Sequence, residues 1–187
     1  HSWSNSIIRD FGENIRCFSI AADSNDNLHV AFIGDSKLYY VSDAQDDNHR
    51  TSYAQEITTT TGGGHQECEI GIDSDGNPHI VYRYSLYIMY TYLDNGNWTT
   101  PSNAGHLEGL RALEQMIIDD NDDIYLLAYD SPNSSLKLFF NDGSLWSNYT
   151  IDYSGSVRPY GASMYIGNSG YIHVAYYHDY GNNNLDL

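Results

Sequence analysis

Short stretches of alternating apolar and polar residues recur along the chain, and each leads into a turn rich in Asp, Asn, Gly and Ser. In the clearest case Cys68, Ile70 and Ile72 alternate with other residues, and the turn DSDGN and the run HIVYR follow. Alternation with a period of two predicts a half-buried β-strand, and such turn residues favour tight hairpins. The pattern therefore predicts a protein built from short antiparallel strands.

This strand–turn–strand unit occurs four times, as ADSNDNLHVAF, IDSDGNPHIVY, IDDNDDIYLLA and IGNSGYIHVAY. The steps between the copies are 50, 46 and 48 residues, counted at their first turn residues, Asp23, Asp73, Asp119 and Gly167. Further strand signals follow each unit, and four antiparallel strands in 40–50 residues are typical of a propeller blade. We therefore predict an all-β propeller of four blades, one domain over residues 1–187 with four repeats of about 48 residues.

One segment conflicts with this scheme. Residues 107–118, LEGLRALEQMII, have the composition and apolar spacing of an amphipathic helix. The repeat places the second half of this segment on the innermost strand of the third blade. Because four repeats at near-constant spacing are the stronger signal, we predict a strand.

The two ends of the chain predict how the ring closes. The sequence WSNSIIRD from Trp3 resembles WSNYTID from Trp146, which reads as a fourth strand, whereas the final GNNNLDL reaches only a third strand. Residues 3–10 are therefore expected to complete the last blade, so that no sheet edge is left open. The alternative is half of an eight-bladed ring, which a second copy completes as a homodimer.

The net charge of the chain restricts the classes of molecule to which it is expected to bind. The net charge is −17 with only eight Lys and Arg residues, which argues against nucleic acid and against membranes, because binding to either needs clustered cations. No apolar run approaches the roughly 18 residues of a membrane helix. The 18 tyrosines combine an aromatic ring with a polar tip that suits sugar hydroxyl groups. We expect an extracellular or cell-surface protein.

The repeats resemble a known group of propellers. The sequences IDSDGNPHIVY, DSKLYYVS, LDNGNWTT and FNDGSLWSN are similar to the sialidase-type, Asp-box-like repeats of extracellular bacterial and archaeal proteins. The resemblance covers nearly the whole chain and implies a propeller that is secreted or displayed at the cell surface. Propellers of this type include enzymes, lectins and scaffolds, so the resemblance implies the fold rather than one activity.

The turns and the residue after them are interpreted as structural. His29, His79 and His173 share one repeat position with Tyr125, and a residue copied around a ring does not converge on one catalytic site. It is expected to pack between blades and to bind a turn backbone group. The Asp-rich turns have the D-x-[DN]-x-[DN] spacing of calcium loops without the Glu at position twelve. We interpret them as closed turns that require no cofactor, with calcium as the alternative at Asp23, Asp73, Asp75 and Asp119.

The loops that lead into the inner strands carry the candidate ligand-binding residues. Such loops gather on one axial face of a propeller, and here they contain three of the eight basic residues. Guanidinium groups bind carboxylate or sulfate through a planar fork, so an acidic sugar is the expected ligand. The alternative is that these arginines pair with neighbouring carboxylates. The candidates are Arg16, His65, Glu67, His106, Arg111, Arg158 and Tyr160.

The function predicted from these features is a secreted or surface binding module, with a carbohydrate as the expected ligand on that axial face. A sialidase-like glycoside hydrolase or a polysaccharide lyase is an alternative, in which His65 or Tyr160 acts with Glu67 in acid–base chemistry. A structural or adhesion scaffold is a second alternative. The Asp-box pattern Ser-x-Asp-x-Gly-x-x-Trp is not intact, and no Ser-His-Asp, zinc or phosphate-loop motif is present, which favours binding over catalysis.

The two cysteines are predicted to remain apart. Cys17 and Cys68 lie one position out of register on successive inner strands. Their side chains should therefore point to opposite sheet faces, and packed sheets are roughly 10 Å apart. We predict two free, buried thiols.

Overall fold

The computed structural model describes residues 15–42, 54–59, 66–167 and 169–178. The regular structure of these residues consists of β-strands in antiparallel sheets, arranged as the four blades of a β-propeller. The all-β fold and the four blades predicted from the repeat are confirmed. Within the described residues, no helix has the length and apolar character needed to cross a membrane.

Each blade starts with its innermost strand and continues outward in chain order. The first blade contains β1 (Ile15–Ala22), β2 (Leu28–Gly34), β3 (Lys37–Ser42) and β4 (Gln55–Thr59). The second contains β5 (Cys68–Ile72), β6 (Pro78–Tyr84), β7 (Tyr87–Asp94), β8 (Asn97–Trp98) and β9 (Ser102–His106), where both β8 and β9 pair with β7. The third contains β10 (Leu110–Ile118), β11 (Ile124–Asp130), β12 (Ser135–Asn141) and β13 (Ser147–Asp152). In the fourth, the described residues form β14 (Val157–Ile166) and β15 (Ile172–His178).

Strand β10 resolves the conflict between helical composition and the repeat. Its residues pair with β11 in antiparallel register, as the repeat predicts. Leu110, Leu113 and Met116 are buried in the core between the second and third blades. Tertiary burial therefore overrides the local helix propensity of this segment, because an extended strand delivers these side chains to the neighbouring sheet.

Apolar side chains fill the junctions between consecutive blades. The first junction buries a cluster from both sheets that includes Ile33, Leu38, Ile70 and Ile80. The second and third junctions bury similar clusters around Leu126, Phe139, Leu127 and Leu136. Full burial of such a side chain contributes about 1.5–3 kcal/mol relative to exposure, so these junctions hold the blades together.

Side chains also join the inner strands around the axis. An innermost strand has one edge without a strand partner, and polar side chains of the preceding blade accept hydrogen bonds from backbone N–H groups on it. These bonds run from Cys68 N–H to Cys17 Sγ at 2.8 Å, from Leu113 N–H to Glu67 Oε2 at 3.0 Å and from Met164 N–H to Gln115 Oε1 at 2.6 Å.

Three glutamate side chains, Glu67, Glu69 and Glu114, lie near one another on or beside the inner strands. Burial, with a smaller contribution from the nearby carboxylates of Glu67 and Glu114, raises the pKa of Glu69 to about 7. Hydrogen bonds from Ser19 and from the backbone of Met116 oppose this shift without cancelling it. The Glu69 carboxyl group therefore gains a proton on the axis near neutral pH.

The two cysteines meet at the first junction, so the prediction that they lie apart is wrong. Cys17 Sγ and Cys68 Sγ are 2.8 Å apart, and both cysteines are free, as predicted. Cys68 is buried, whereas Cys17 is only partly buried. The offset of one register does direct them to opposite faces of their own sheets. However, the face of the first blade that carries Cys17 packs against the face of the second blade that carries Cys68. The two side chains therefore meet.

The outward faces of the first and fourth blades carry exposed apolar residues. Phe18 and Ile20 on β1 are 75% and 56% exposed, and Tyr165 on β14 is 65% exposed. At the positions equivalent to Phe18 and Ile20 in the second blade, Cys68 and Ile70 are buried against the preceding blade. The predicted closing strand, residues 3–10, lies outside the described residues.

Candidate functional site

An arrangement of His, Tyr and Trp occurs at two successive blade junctions. The histidine and tyrosine belong to one blade, and the tryptophan comes from the outer part of the next. The histidine Nδ1 and tyrosine Oη atoms are 2.7 and 2.6 Å apart, and the tyrosine and tryptophan rings meet edge-on at 5.1 and 5.4 Å. The residues are His29, Tyr40 and Trp98 at the first junction and His79, Tyr90 and Trp146 at the second.

The repeated histidine is also tied to the turn before it. His79 Nε2 lies 3.1 Å from Asp73 Oδ2, and the corresponding distance in the first blade is 3.6 Å. In the third blade Tyr125 takes the histidine position, and its hydroxyl group donates to Asp119 Oδ2 at 3.5 Å. The histidine therefore joins a turn carboxylate to a tyrosine, rather than binding the backbone group that was expected.

The aspartates at the start of the turns close their own backbone. Asp73 Oδ1 accepts hydrogen bonds from the N–H groups of Asp75 and Asn77 at 3.1 and 2.7 Å. Asp23 makes the same pair of bonds at 2.8 Å, and the side-chain amide of Asn27 lowers its pKa to about 2. Among the described residues, no group of three or more His, Cys, Asp or Glu side chains is arranged to hold a metal ion. Calcium at Asp23, Asp73, Asp75 and Asp119 stays a prediction.

The two His–Tyr–Trp junctions differ at one position of the outermost strand. Gln55 on β4 pairs with Tyr40, and its Oε1 accepts a hydrogen bond from Trp98 Nε1 at 3.1 Å. The equivalent residue of the second blade is Ser102, which pairs with Tyr90. A serine side chain is too short to repeat this bond, and within the described residues the buried Nε1 of Trp146 has no hydrogen-bond partner.

A cavity opens at this place between the second and third blades. Its volume is about 750 Å³, within the range of small-molecule sites in proteins. Aromatic rings and uncharged polar groups make up most of its lining. The lining includes Tyr92, Trp146, Ser102, Asn103, Asn141 and Ser144.

The polar groups of this cavity are mostly neutral. Burial raises the pKa of Tyr90, and the nearby Tyr92 and Asp73 raise it further, so the phenol keeps its proton. The Asp122 carboxylate accepts hydrogen bonds from the Ser74 N–H group at 2.7 Å and from Ser74 Oγ at 2.8 Å. The cavity thus offers aromatic faces, hydroxyl groups and amides, together with one carboxylate that already has partners.

The three predicted arginines lie at the end of the propeller where the inner strands start. Arg16 and Arg111 are the extra residues where the pairing of β1 and β10 shifts register, and Arg158 lies within a similar irregularity of β14. All three side chains are exposed. An irregularity of this kind re-aims a side chain relative to the sheet. Their joint action on one ligand stays a prediction.

The other predicted ligand-binding residues have mixed positions. Glu67 Oε2 accepts the Leu113 N–H bond described above, which is a structural contact between blades. His106 is exposed at the end of β9, where its ring lies against Tyr87 with 4.8 Å between the ring centres. His65 and the side chain of Tyr160 lie outside the described residues.

The cavity residues were not predicted from the sequence. Trp146 was recognised as the start of a fourth strand, but neither Ser102 nor Asn103 was singled out. The feature that identifies the cavity is the replacement of Gln55 by Ser102 at equivalent positions. Recognising this replacement requires the register of β4 and β9 against their neighbouring strands. Their sequences, QEITT and SNAGH, share no residue at any aligned position, so this register is visible only in the structure.

No protein-family model and no curated protein matches the sequence. Several solved structures do match the chain in fold. The NanB sialidase of Streptococcus pneumoniae is 16% identical with a TM-score of 0.57, over 85% of this chain and 27% of the sialidase. The Aleuria aurantia lectin, solved with Fucα1-6GlcNAc, is 14% identical with a TM-score of 0.54, over 76% of this chain and 47% of the lectin.

A third similar structure is a virginiamycin B lyase from Staphylococcus aureus, 11% identical with a TM-score of 0.54, over 86% of this chain and 48% of the lyase. The chain therefore spans about a quarter of the sialidase and about half of the lectin and of the lyase. At such identities the likeness establishes the fold alone. The resemblance of the repeats to sialidase-type propellers is confirmed at that level: the chain is a β-propeller similar in fold to sialidases and fucose lectins.

Proposed function

We propose that this chain is a non-catalytic carbohydrate-binding module with its sugar site in the cavity between the second and third blades. The observation that carries the proposal is the contrast between two equivalent junctions. At one junction Gln55 binds the Trp98 indole, whereas the other has Ser102 in the equivalent position and a cavity of about 750 Å³. A ligand oxygen at the place of the missing glutamine amide would accept the hydrogen bond that Trp146 lacks.

The chemistry of the lining suits a sugar. The C–H faces of a sugar ring pack on aromatic side chains, and Tyr92 and Trp146 supply such surfaces. Hydroxyl groups need neighbours that donate and accept. The Asn103 and Asn141 side chains supply N–H donors, and each amide oxygen, which accepts one backbone N–H bond from Gly105 or Gly143, keeps a second lone pair. A few polar groups placed among aromatic rings are typical of small-molecule sites.

The same lining argues against a hydrolase at this place. Glycoside hydrolysis generally uses two carboxyl groups, one on each side of the scissile bond. The described lining contains a single carboxylate, that of Asp122, and it is occupied by two hydrogen bonds from Ser74. The lectin and sialidase likenesses support a sugar ligand, and the lining supports binding rather than cleavage. A glycan ligand also supports an extracellular or cell-surface location.

The first test is a glycan array with the purified protein, in which we expect binding to a limited set of sugars. Arginine variants then separate the cavity from the axial face. Arg16→Ala, Arg111→Ala and Arg158→Ala should leave binding unchanged, because the three arginines lie outside the lining of the cavity. If acidic sugars bind instead, and each variant weakens them by roughly 1.5–3 kcal/mol, the axial face is the site and the cavity proposal fails.

A further inference from the structure

Cys17 and Cys68 form an isolated pair of sulfur atoms between two blades. Their Sγ atoms are 2.8 Å apart, although 51 positions separate the residues in the chain. Each lies on an innermost strand, Cys17 on β1 and Cys68 on β5, so the pair spans the junction of the first and second blades. Neither the propeller fold nor sugar binding in the cavity, whose lining does not include them, requires two thiols at this place.

The two thiols have different surroundings. Cys17 is partly exposed, and its Sγ accepts a hydrogen bond from the Cys68 N–H group at 2.8 Å. Attack on an external disulfide requires a sulfur atom that the reagent can reach from solvent. Cys68 is 1% exposed, and burial raises the pKa of its thiol. Cys17 is thus the thiol that an external reagent reaches first, and Cys68 is placed to react second.

We propose that Cys17 and Cys68 are a redox pair that a small-molecule disulfide, such as oxidised glutathione, converts into a disulfide between the first two blades. The Cys17 thiolate attacks one sulfur of the reagent, which releases one glutathione thiol and leaves a mixed disulfide. Cys68 then attacks Cys17 Sγ and expels the second glutathione thiol. Two protein thiols are oxidised, one glutathione disulfide is reduced, and the two protein protons end on the two glutathione molecules.

The bond would lock the inner strands of two blades together. It closes a loop from residue 17 to residue 68, and a loop of this length strongly restricts the unfolded chain. In an oxidising compartment the cross-linked form would predominate, and a reducing one would release it. The protein would then be more resistant to heat outside the cell than in a reducing interior.

The experiment incubates the whole protein in glutathione buffers of increasing oxidised fraction. Free thiols are counted, peptides are mapped by mass spectrometry without reduction, and the melting temperature is recorded. We expect both thiols to disappear together, a peptide pair linked through Cys17 and Cys68, and a melting temperature higher by roughly 5–15 °C than in the reduced protein. Cys17→Ser is the control and should abolish the oxidant-dependent shift.

The wild-type protein alone can overturn the proposal, so the test does not depend on how well the variant folds. Two thiols that stay titratable in excess oxidised glutathione would contradict it. A stable mixed disulfide on Cys17, or a link between two molecules, would contradict it equally. Sugar binding is a separate measurement, so either proposal can fail without the other.

Discussion

At the scale of single residues, the protein uses polar side chains as structural connectors. The repeated histidine links a turn carboxylate to a tyrosine hydroxyl group, as in Asp73, His79 and Tyr90. Buried polar groups of this kind stabilise a fold only when each has a partner, because an unsatisfied donor costs about 1–3 kcal/mol. Among the described residues several buried atoms depart from this rule, His29 Nε2 and Trp146 Nε1 among them, and Trp146 is the one that borders the proposed sugar site.

Glu69 should make stability depend on pH. Its pKa is about 7 in the folded protein and about 4.5 in the unfolded chain, so the folded state holds this proton more tightly. The contribution of Glu69 to stability is therefore complete below about pH 4.5 and is lost as the pH rises through 7. The full loss is about 3 kcal/mol, from 1.36 kcal/mol for each pKa unit.

Glu69→Gln keeps the shape and the acceptor oxygen but removes the charge. We expect this variant to match the wild type in urea unfolding at pH 4.5 and to exceed it at pH 8. Glu56→Gln is the matched control, because Glu56 forms an exposed ion pair with Lys37. This variant should show the same change in unfolding free energy between pH 4.5 and pH 8 as the wild type. Equal stability of Glu69→Gln and the wild type at pH 8 would show that Glu69 titrates normally.

At the scale of strands and turns, much of the structure could be predicted from the sequence. The repeat locates the inner strands and the turns, and it correctly overrides the helical composition of β10. The prediction failed where faces of different blades meet. The contact between Cys17 and Cys68, and the contrast between Gln55 and Ser102, depend on packing across a junction rather than on any local pattern.

The Asp turns give a test at this scale. Asp73→Ala removes the acceptor for two backbone N–H groups, the Asn77 amide and His79, so we expect a loss of roughly 1–3 kcal/mol in unfolding free energy. Asp75→Ala should be close to neutral, and a chelator should leave the melting temperature unchanged. A calcium-dependent rise in melting temperature that both substitutions abolish would show that these carboxylates hold the ion instead.

At the scale of the whole molecule, the exposed faces of the first and fourth blades carry apolar residues like those buried between neighbouring blades. Phe18 and Ile20 occupy positions at which the second blade buries Cys68 and Ile70. Phe32 and Val30, which pair with the two exposed residues on the same face, are buried, so the exposed part of this face lies on β1. We expect a second copy to cover that part. Sedimentation of the purified protein should show a dimer, which Phe18→Ser shifts toward the monomer.

Tyr153→Ser is the control for that experiment, because Tyr153 is similarly exposed and lies in the connection between β13 and β14 rather than on β1. A wild-type protein that sediments as a monomer at all concentrations would contradict the pairing of two copies. Dissociation by Tyr153→Ser to the same extent would show that the effect of Phe18→Ser is not specific to this face.

The central claim is that a sugar binds in the cavity of the second junction, where Ser102 stands in the position that Gln55 has at the first junction. Calorimetric titration of the Ser102→Gln variant tests this claim most directly. The new side chain should extend into the cavity and accept the hydrogen bond of the Trp146 indole, as Gln55 does for Trp98, so that it competes with the sugar for this position. We predict at least a tenfold loss of affinity for the sugar selected on the array, with the melting temperature retained, whereas Gln55→Ser should bind the sugar as the wild type does. Unchanged affinity in Ser102→Gln would place the sugar elsewhere and contradict the account.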